Sequence, residues 1–308
     1  MTLVDRYGRP LLNLRIAVTR QCNLRCEYCH MEGEDKQHPP SDEMTADEII
    51  RMVRVAAGLG ISKVKLTGGE PLLRKDIVEI VKGIAAIKDI GELSMTTNGT
   101  MLEHLAEELR SSGLGRINIT LPTLDAEAYE KLNGGKIEPV LRGVEAAVTA
   151  GLCPVKVNML LLKGINDDAV FDMIEFAKKT GAILQMIELE PLNISSEYYL
   201  SHHMPLDKYE QMLDGMAEKT ETRKFMQNRK VYYLPDTSVE IIHPTENAEF
   251  CSHCTRLRVT SDGKLKPCLM TKNNLIDILT PLRSDASDKE LAELFKMAND
   301  RRKPYNNH

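Results

Sequence analysis

From residue 45 to about residue 190 the sequence repeats one unit, an amphipathic stretch that ends at glycine followed by a short apolar segment. The first stretch begins at Thr45-Ala46-Asp47-Glu48, where Thr45 and Glu48 can satisfy each other's free amides as a capping box. It stops near Gly58 and Gly60, and Lys63–Thr67 follows as a strand. Further strands are expected at Leu93–Thr97, Arg116–Thr120, Val155–Leu161 and Ile183–Glu188. Gly91, Gly113, Gly115, Gly151 and Gly181 lie just ahead of them as helix C-terminal caps. With Leu14–Val18, six strands alternate with helices, a pattern that gives a parallel sheet. No Rossmann glycine fingerprint follows the first strand, so an open or closed β/α barrel is expected rather than a dinucleotide fold.

The strands also say which side chains face inward. Apolar residues alternate with Lys63, Lys65 and Thr67 in one strand, and with Lys156 and Asn158 in another. Successive side chains point to opposite faces. The apolar set, Val64, Leu66, Val155 and Val157, should pack outward on the helices, which leaves Lys63, Lys65, Lys156 and Asn158 inside. Arg15 and Thr19 share one face of the first strand. Cations inside a barrel are costly unless an anion sits there. The alternative is an edge strand with solvated lysines. Polar clusters at the strand ends, namely Gly68-Gly69-Glu70-Pro71, Thr96-Thr97-Asn98-Gly99, Thr120, Asn158 and Glu188, mark the face on which barrel sites are built.

The first strand empties into Cys22-Asn23-Leu24-Arg25-Cys26-Glu27-Tyr28-Cys29. Three thiols this close converge on one metal centre and supply three ligands where a closed tetrahedral site needs four. A structural zinc completed by His30 is the plainer alternative. A second triplet, Cys251, Cys254 and Cys268, lies near the other end, where Gly263 and Pro267 mark a hairpin that returns Cys268 to the pair. Here a zinc knuckle using His253 or His243 stays open as an alternative. Arg256 and Arg258 alternate beside this pair, and guanidinium forks suit phosphates, although a solvated hairpin would also carry them.

The rest of the sequence sets bounds. Its 308 residues suffice for a large α/β domain with an appendage, divided here as 1–190 and 191–308. Residues 1–12 read as an irregular arm lying across the bottom or side of the barrel. Beyond 190, a helix over Pro205–Lys219, strands at Lys230–Leu234 and Val239–His243, and a helix from Asp288 to Asn299 are expected. A formal charge of −5 argues against non-specific nucleic-acid binding. No apolar run reaches transmembrane length and no charged-then-apolar leader pattern opens the sequence, so a cytoplasmic protein is expected. Seven cysteines in such a protein suggest metal binding, with the leftover Cys153 expected as a small buried apolar residue.

The Cys-x3-Cys-x2-Cys loop with Tyr28 before its last cysteine resembles that of the radical S-adenosylmethionine (radical SAM) enzymes. The paired signature is more specific. Phe250-Cys251-Ser252-His253-Cys254-Thr255-Arg256-Leu257-Arg258 and Asp262-Gly263-Lys264-Leu265-Lys266-Pro267-Cys268-Leu269 resemble the C-terminal motif of the GTP 3′,8-cyclases of molybdenum-cofactor biosynthesis. The resemblance runs from the arm to about Leu269 and implies a partial (β/α)6 barrel of TIM type with a C-terminal cluster-binding appendage.

It implies that Cys22, Cys26 and Cys29 hold a [4Fe–4S] cluster that binds SAM, and that Cys251, Cys254 and Cys268 hold a second [4Fe–4S] cluster whose open iron contacts guanine. Tyr28, Gly68, Gly69, Glu70, Thr120 and Glu190 fall at SAM-binding positions, and Arg15, Lys65, Thr96, Lys156, Arg256 and Arg258 at GTP-binding ones. The chemistry implied is radical: reductive cleavage of SAM, removal of the ribose 3′ hydrogen, attack on C8, and reduction to 3′,8-cyclo-7,8-dihydro-GTP. Implied partners are an electron donor such as flavodoxin or ferredoxin and, transiently, cyclic pyranopterin monophosphate synthase, with the protein a monomer or homodimer. The chain has Arg20-Gln21, Thr120-Leu121-Pro122, Gln185 and Glu190 where members usually carry Asp-Arg, Ser-Leu-Asp, an arginine and a methionine. It ends Lys303-Pro304-Tyr305-Asn306-Asn307-His308 where many members carry a Gly-Gly tail. Two other readings are a radical SAM enzyme that modifies a peptide or RNA, and a non-catalytic iron–sulfur or zinc protein that senses a nucleotide.

Overall fold

Thr45 caps the first helix as its sequence demands. Its hydroxyl accepts from the Glu48 amide at 3.3 Å, while the Glu48 carboxylate accepts from the Thr45 amide at 2.8 Å. The computed structural model describes residues 2–34 and 43–305. Residues 306–308, which include the end of the chain, lie outside the described residues. Six strands run β1 (Asn13–Ala17), β2 (Lys63–Thr67), β3 (Glu92–Thr97), β4 (Arg116–Thr120), β5 (Val155–Leu161) and β6 (Ile183–Glu188). Between them lie α1 (Ala46–Gly58), α2 (Ile77–Ala85), α3 (Leu102–Ser111), α4 (Ala126–Asn133), α5 (Glu138–Thr149) and α6 (Val170–Thr180). Each strand pairs parallel with the next. This is the partial (β/α)6 barrel that the alternation implies. Gly113, Gly151 and Gly181 take the left-handed conformation after their helices, whereas Gly91 and Gly115 only lead into strands.

Val64, Leu66, Val155 and Val157 are buried outward in one continuous apolar core with the helices. Lys65, Lys156 and Asn158 face the interior instead, and all three line its central cavity. Lys63 departs from the expected inward set. It sits at the strand start, where its ammonium reaches Glu92 at 3.3 Å and its side chain is 37 % exposed.

Beyond residue 190 come α7 (Ser196–His202), α8 (Asp207–Met216), β7 (Lys219–Arg223), β8 (Arg229–Leu234), β9 (Thr237–Ile242) and α9 (Ala248–Ser252). The chain ends with β10 (Arg256–Val259), β11 (Lys264–Lys266), β12 (Ile276–Asp277), α10 (Leu279–Arg283) and α11 (Asp288–Asp300). The expected helix over Pro205–Lys219 is therefore shorter, and Lys219 opens a strand. β7 is an exposed outer edge made of Lys-Thr-Glu-Thr-Arg, so it carries no apolar alternation to read. The sheet order is β12-β11-β10-β1-β2-β3-β4-β5-β6-β9-β8-β7. β9 joins β6 and β10 joins β1, both parallel, so late strands extend the barrel sheet at both ends.

The N-terminal arm and α11 share one task. The buried Asp5 carboxylate accepts from Arg9 Nε at 2.8 Å. Arg9 Nη1 donates to the Cys251 carbonyl at 2.9 Å, and Arg302, just past α11, donates to the Cys254 carbonyl at 2.5 Å. The second cysteine pair is thus held from both ends of the chain. Cys153 is exposed rather than buried. Its amide donates to the Gly115 carbonyl at 3.0 Å, and its neighbours Leu152 and Val155 take the inward positions of this turn.

Arg302 is 1 % exposed, so Arg302→Ala leaves the Cys254 and Arg9 carbonyls without this donor in a dry site. We expect a loss of about 3 kcal/mol, read from the urea midpoint.

Candidate active site

The cysteine loop sits beyond the C-terminal end of β1 and is fixed by its neighbours. The Arg25 amide donates to the Asn133 carbonyl at 2.9 Å and the Glu27 amide to the Leu132 carbonyl at 3.0 Å. The Tyr28 hydroxyl donates to Asn133 Oδ1 at 2.6 Å. On the other side the loop lies against Gly68-Gly69. The Gly69 amide donates to the Thr19 carbonyl at 2.7 Å, and the Glu70 amide to the Gln21 carbonyl at 2.6 Å. A Cβ on Gly69 would stand 2.2 Å from the Gln21 oxygen, so only glycine permits this approach.

Glu70 itself stands apart from the cavity. It is fully buried, and its carboxylate accepts from the Thr97 hydroxyl and the Asn98 amide, each at 2.6 Å, and from the Leu72 amide at 3.0 Å. Burial pushes its pKa up to about 7 against those three bonds. Its oxygens therefore organise the ends of β2 and β3. Tyr28, Gly68, Gly69, Thr120 and Glu190 do line the cavity, and Glu190 also borders a second cleft.

Arg15, Lys65, Thr96, Lys156, Arg256 and Arg258, from five strands, all line this same cavity. Lys65 donates to Asn118 Oδ1 at 2.8 Å, and its pKa is driven well down by burial and by Arg15, Arg116, Arg256 and Lys156 around it. Burial lowers Lys156 to about 8, opposed by its ion pair with Glu240. Arg256 is lowered too, through burial and the neighbouring Arg229 and Arg15. Crowding of this kind marks a site built for an anion.

Several side chains here had no motif to announce them. Glu32 pairs with Arg258 and lies 3.5 Å from Arg15, and accepts from the Thr67 hydroxyl at 2.9 Å. Glu240, fully buried on β9, pairs with Lys156 and with Arg223 at 2.7 Å, and accepts from Gln185 at 2.8 Å. Arg116 and Arg229 also line the cavity. The Arg116-Ile117-Asn118-Ile119-Thr120 alternation contained the signal for Arg116, and a lone charge in Ser238-Val239-Glu240-Ile241-Ile242 the signal for Glu240. Nothing local pointed to Arg229 or Glu32.

Both cysteine triplets border this region. Cys22, Cys26 and Cys29 line the cavity itself. Burial first, and then Cys29 and Cys22, pushes the Cys26 thiol up to about 12. Among the described residues no three such side chains stand close enough to hold a metal ion as they are, so a cluster with one iron left open would draw these three thiols together across the loop. Cys251, Cys254 and Cys268 line an adjoining cleft that shares Glu190, Phe250, Arg256, Arg258 and Leu269 with the cavity.

A partial β/α barrel with a three-cysteine loop after its first strand defines a class, and the comparisons agree with it. The radical SAM superfamily matches residues 16–177, and the family described as Molybdenum Cofactor Synthesis C matches residues 182–308. A protein of Thermococcus kodakarensis called probable GTP 3′,8-cyclase is 48 % identical, covering 98 % of this chain and 99 % of its own. One of the same name from Methanocaldococcus jannaschii is 44 % identical over 98 % of each chain. The crystal structure of Streptococcus suis SuiB bound to S-adenosylmethionine shares the fold with a TM-score of 0.68 at 15 % identity, covering 94 % of this chain and 67 % of that one. The chain belongs to the radical SAM superfamily and, within it, to the family of these probable GTP 3′,8-cyclases. Membership implies a [4Fe–4S] cluster and SAM.

Gly69→Ala is expected to force the cysteine loop away from β2. Reconstituted variant should bind much less iron than wild type while keeping its far-ultraviolet circular dichroism. Iron binding at the wild-type level would show that the close approach is dispensable.

Proposed function

We propose that this chain is a GTP 3′,8-cyclase that carries out the first step of molybdenum-cofactor biosynthesis with two iron–sulfur clusters. One observation carries the reading. The six side chains expected to bind GTP line one cavity, with one cysteine triplet in its wall and the other in an adjoining cleft. Buried guanidinium and ammonium groups need anionic partners, and a triphosphate supplies them with many acceptor oxygens.

In this reading Cys22, Cys26 and Cys29 hold the first cluster. When bound with SAM, that cluster supplies the one-electron chemistry that takes the ribose 3′ hydrogen. Tyr28, Gly68, Gly69, Thr120 and Glu190 shape the SAM side of the cavity. Glu70 acts from behind, by fixing the strand ends that present it. Arg15, Lys65, Thr96, Lys156, Arg256 and Arg258 bind GTP, hold C8 against the 3′ carbon and exclude water.

Cys251, Cys254 and Cys268 would hold the second [4Fe–4S] cluster, which with three protein ligands would keep one iron free to contact the guanine. The donor set fits a cluster held by three thiolates. His243 has both ring nitrogens turned to carboxylates, Nδ1 to Glu188 at 3.5 Å and Nε2 to Glu210 at 3.3 Å, which takes it out of the ligand set. Burial would raise the Cys254 thiol, but Arg256, Arg302 and Arg9 outweigh it and hold the pKa below its usual value, which favours the thiolate a metal needs. Residues 1–190 then form the radical SAM barrel and 191–308 the second-cluster region. The protein works in the cytoplasm, takes electrons from a flavodoxin or ferredoxin, and hands its product to cyclic pyranopterin monophosphate synthase.

Iron content after anaerobic reconstitution tests the architecture. Wild type should hold about eight irons per chain and the double variant Cys251→Ala/Cys254→Ala about four. About four in both, with zinc in the wild type alone, would overturn the two-cluster reading. Incubation with GTP, SAM and a reductant should then yield 5′-deoxyadenosine and the cyclised nucleotide; deoxyadenosine without the cyclised product would point to another substrate.

Lys65→Ala and Arg256→Ala are each expected to weaken GTP binding by about tenfold or more, measured by calorimetry. Unchanged affinity in both would remove the cavity from GTP binding.

A further inference from the structure

Two of the six side chains expected to bind GTP are already engaged with an anion of the chain's own. Arg15 Nη1 lies 3.5 Å from Glu32 Oε1, and Arg258 Nη1 donates to Glu32 Oε2. Among the described residues, Glu32 is the one carboxylate within ion-pair distance of either guanidinium. It lines the central cavity with them, and its side chain is 10 % exposed. The Thr67 hydroxyl donates to the same carboxylate at 2.9 Å. Burial would raise the Glu32 carboxyl, but Arg15, then Arg258, outweigh it and hold it well below the usual carboxylate range, so it is charged.

The cavity's other paired carboxylate is held differently. Glu240 stands in the middle of β9, where strand pairing to β6 and β8 fixes its backbone on both sides. It is bonded to Lys156, Arg223 and Gln185 at once. Glu32 belongs to no strand. It sits in a single turn, Met31–Gly33, that starts two residues after Cys29. Met31 and Glu32 have φ of 49° and 50°, a left-handed conformation that residues with a Cβ adopt at a cost and that recurs at switch segments. The flanks of the turn are pinned. Asn193 Nδ2 donates to the His30 carbonyl at 2.9 Å, Lys266 Nζ to the Gly33 carbonyl at 2.8 Å, and the Ser261 amide to the Glu34 carboxylate at 2.8 Å. Between those pins the Glu32 side chain is held by two charges and one hydroxyl, all of which an incoming anion can replace.

A second anion brought against Arg15 and Arg258 meets Glu32 as a like charge, in a buried place that salt screens little. We propose that Glu32 is a displaceable placeholder: its carboxylate keeps Arg15 and Arg258 together and gives them up to an anionic ligand that displaces it. The affinity of the ligand is then the difference between two pairings of the same arginines, and the cavity rejects anions that bind them too weakly to displace Glu32. The exchange takes place at the edge of the cysteine loop, three residues from Cys29. The inference rests on the cyclase reading only for the identity of the ligand.

The sign of the effect of Glu32→Gln is the test. The amide keeps an acceptor for the Thr67 hydroxyl and removes the charge. Calorimetric titration of the anaerobically reconstituted holoenzyme should show GTP and inorganic tripolyphosphate bound about tenfold more tightly by this variant than by wild type. Without ligand, the variant should melt at a lower temperature than wild type, because Arg15 and Arg258 have lost their counter-charge. Weaker or unchanged binding of both ligands by a folded Glu32→Gln protein would overturn the placeholder, and GTP binding by wild type would then leave the cyclase reading standing. If Glu32→Gln does not fold, Thr67→Val decides: it keeps the ion pairs and removes the hydroxyl that steadies Glu32, so both ligands should bind about threefold more tightly, and no tightening would overturn the placeholder. Wild type that bound tripolyphosphate but no GTP would overturn the cyclase reading, while tighter tripolyphosphate binding by Glu32→Gln would still support the placeholder.

Discussion

A barrel interior is ordinarily packed with branched apolar side chains, and the cost of burying charge governs this one instead. Lys65, Arg116, Lys156, Arg229 and Arg256 all project into the same space, so the fold tolerates them only with counter-charge nearby. The protein provides part of it. Glu240 comes from β9 to meet Lys156, and Glu32 from the turn after the cysteine loop meets Arg258. What remains uncompensated has the chemistry of phosphate recognition. On the proposed reading, stability and ligand binding are settled by the same side chains, and the walls of the cavity are a compromise between the two.

Much of this was legible in short patterns. The capping box at Thr45, the strand limits at Lys63–Thr67, Arg116–Thr120, Val155–Leu161 and Ile183–Glu188, and the inward set Lys65, Lys156 and Asn158 followed from periodicity alone. Both cysteine triplets were equally plain. What escaped did so for identifiable reasons. Lys63 alternates correctly but sits at a strand start, where solvent and Glu92 reach it. β7 is polar on both faces because nothing covers it. Glu70 sits in a motif that suggests ligand contact, yet its depth behind the glycines is a tertiary fact. Arg229 and Glu240 matter only because a late hairpin docks beside β6, which no local pattern records.

The two cysteine segments are supported in different ways. The first is clamped by α4 and by Gly68-Gly69, elements close to it in the barrel. The second is held by backbone carbonyls that accept from Arg9 and Arg302, at the two extremes of the described chain. α11, whose part the sequence left open, packs its buried Leu291 and Phe295 into the core and so sets Arg302 beneath Cys254.

The pairing of β9 with β6 and of β10 with β1 bears on how such a chain must be made. When the first six strands have left the ribosome, the sheet still has two bare edges, with cations facing its interior and Glu240 not yet synthesised. Long-range parallel pairing of this kind is slow to form and exposes aggregation-prone edges while it waits. The nascent barrel is thus an intermediate that needs protection until its last third arrives, and any evolutionary exchange of that last third has to supply matching strands for both edges at once.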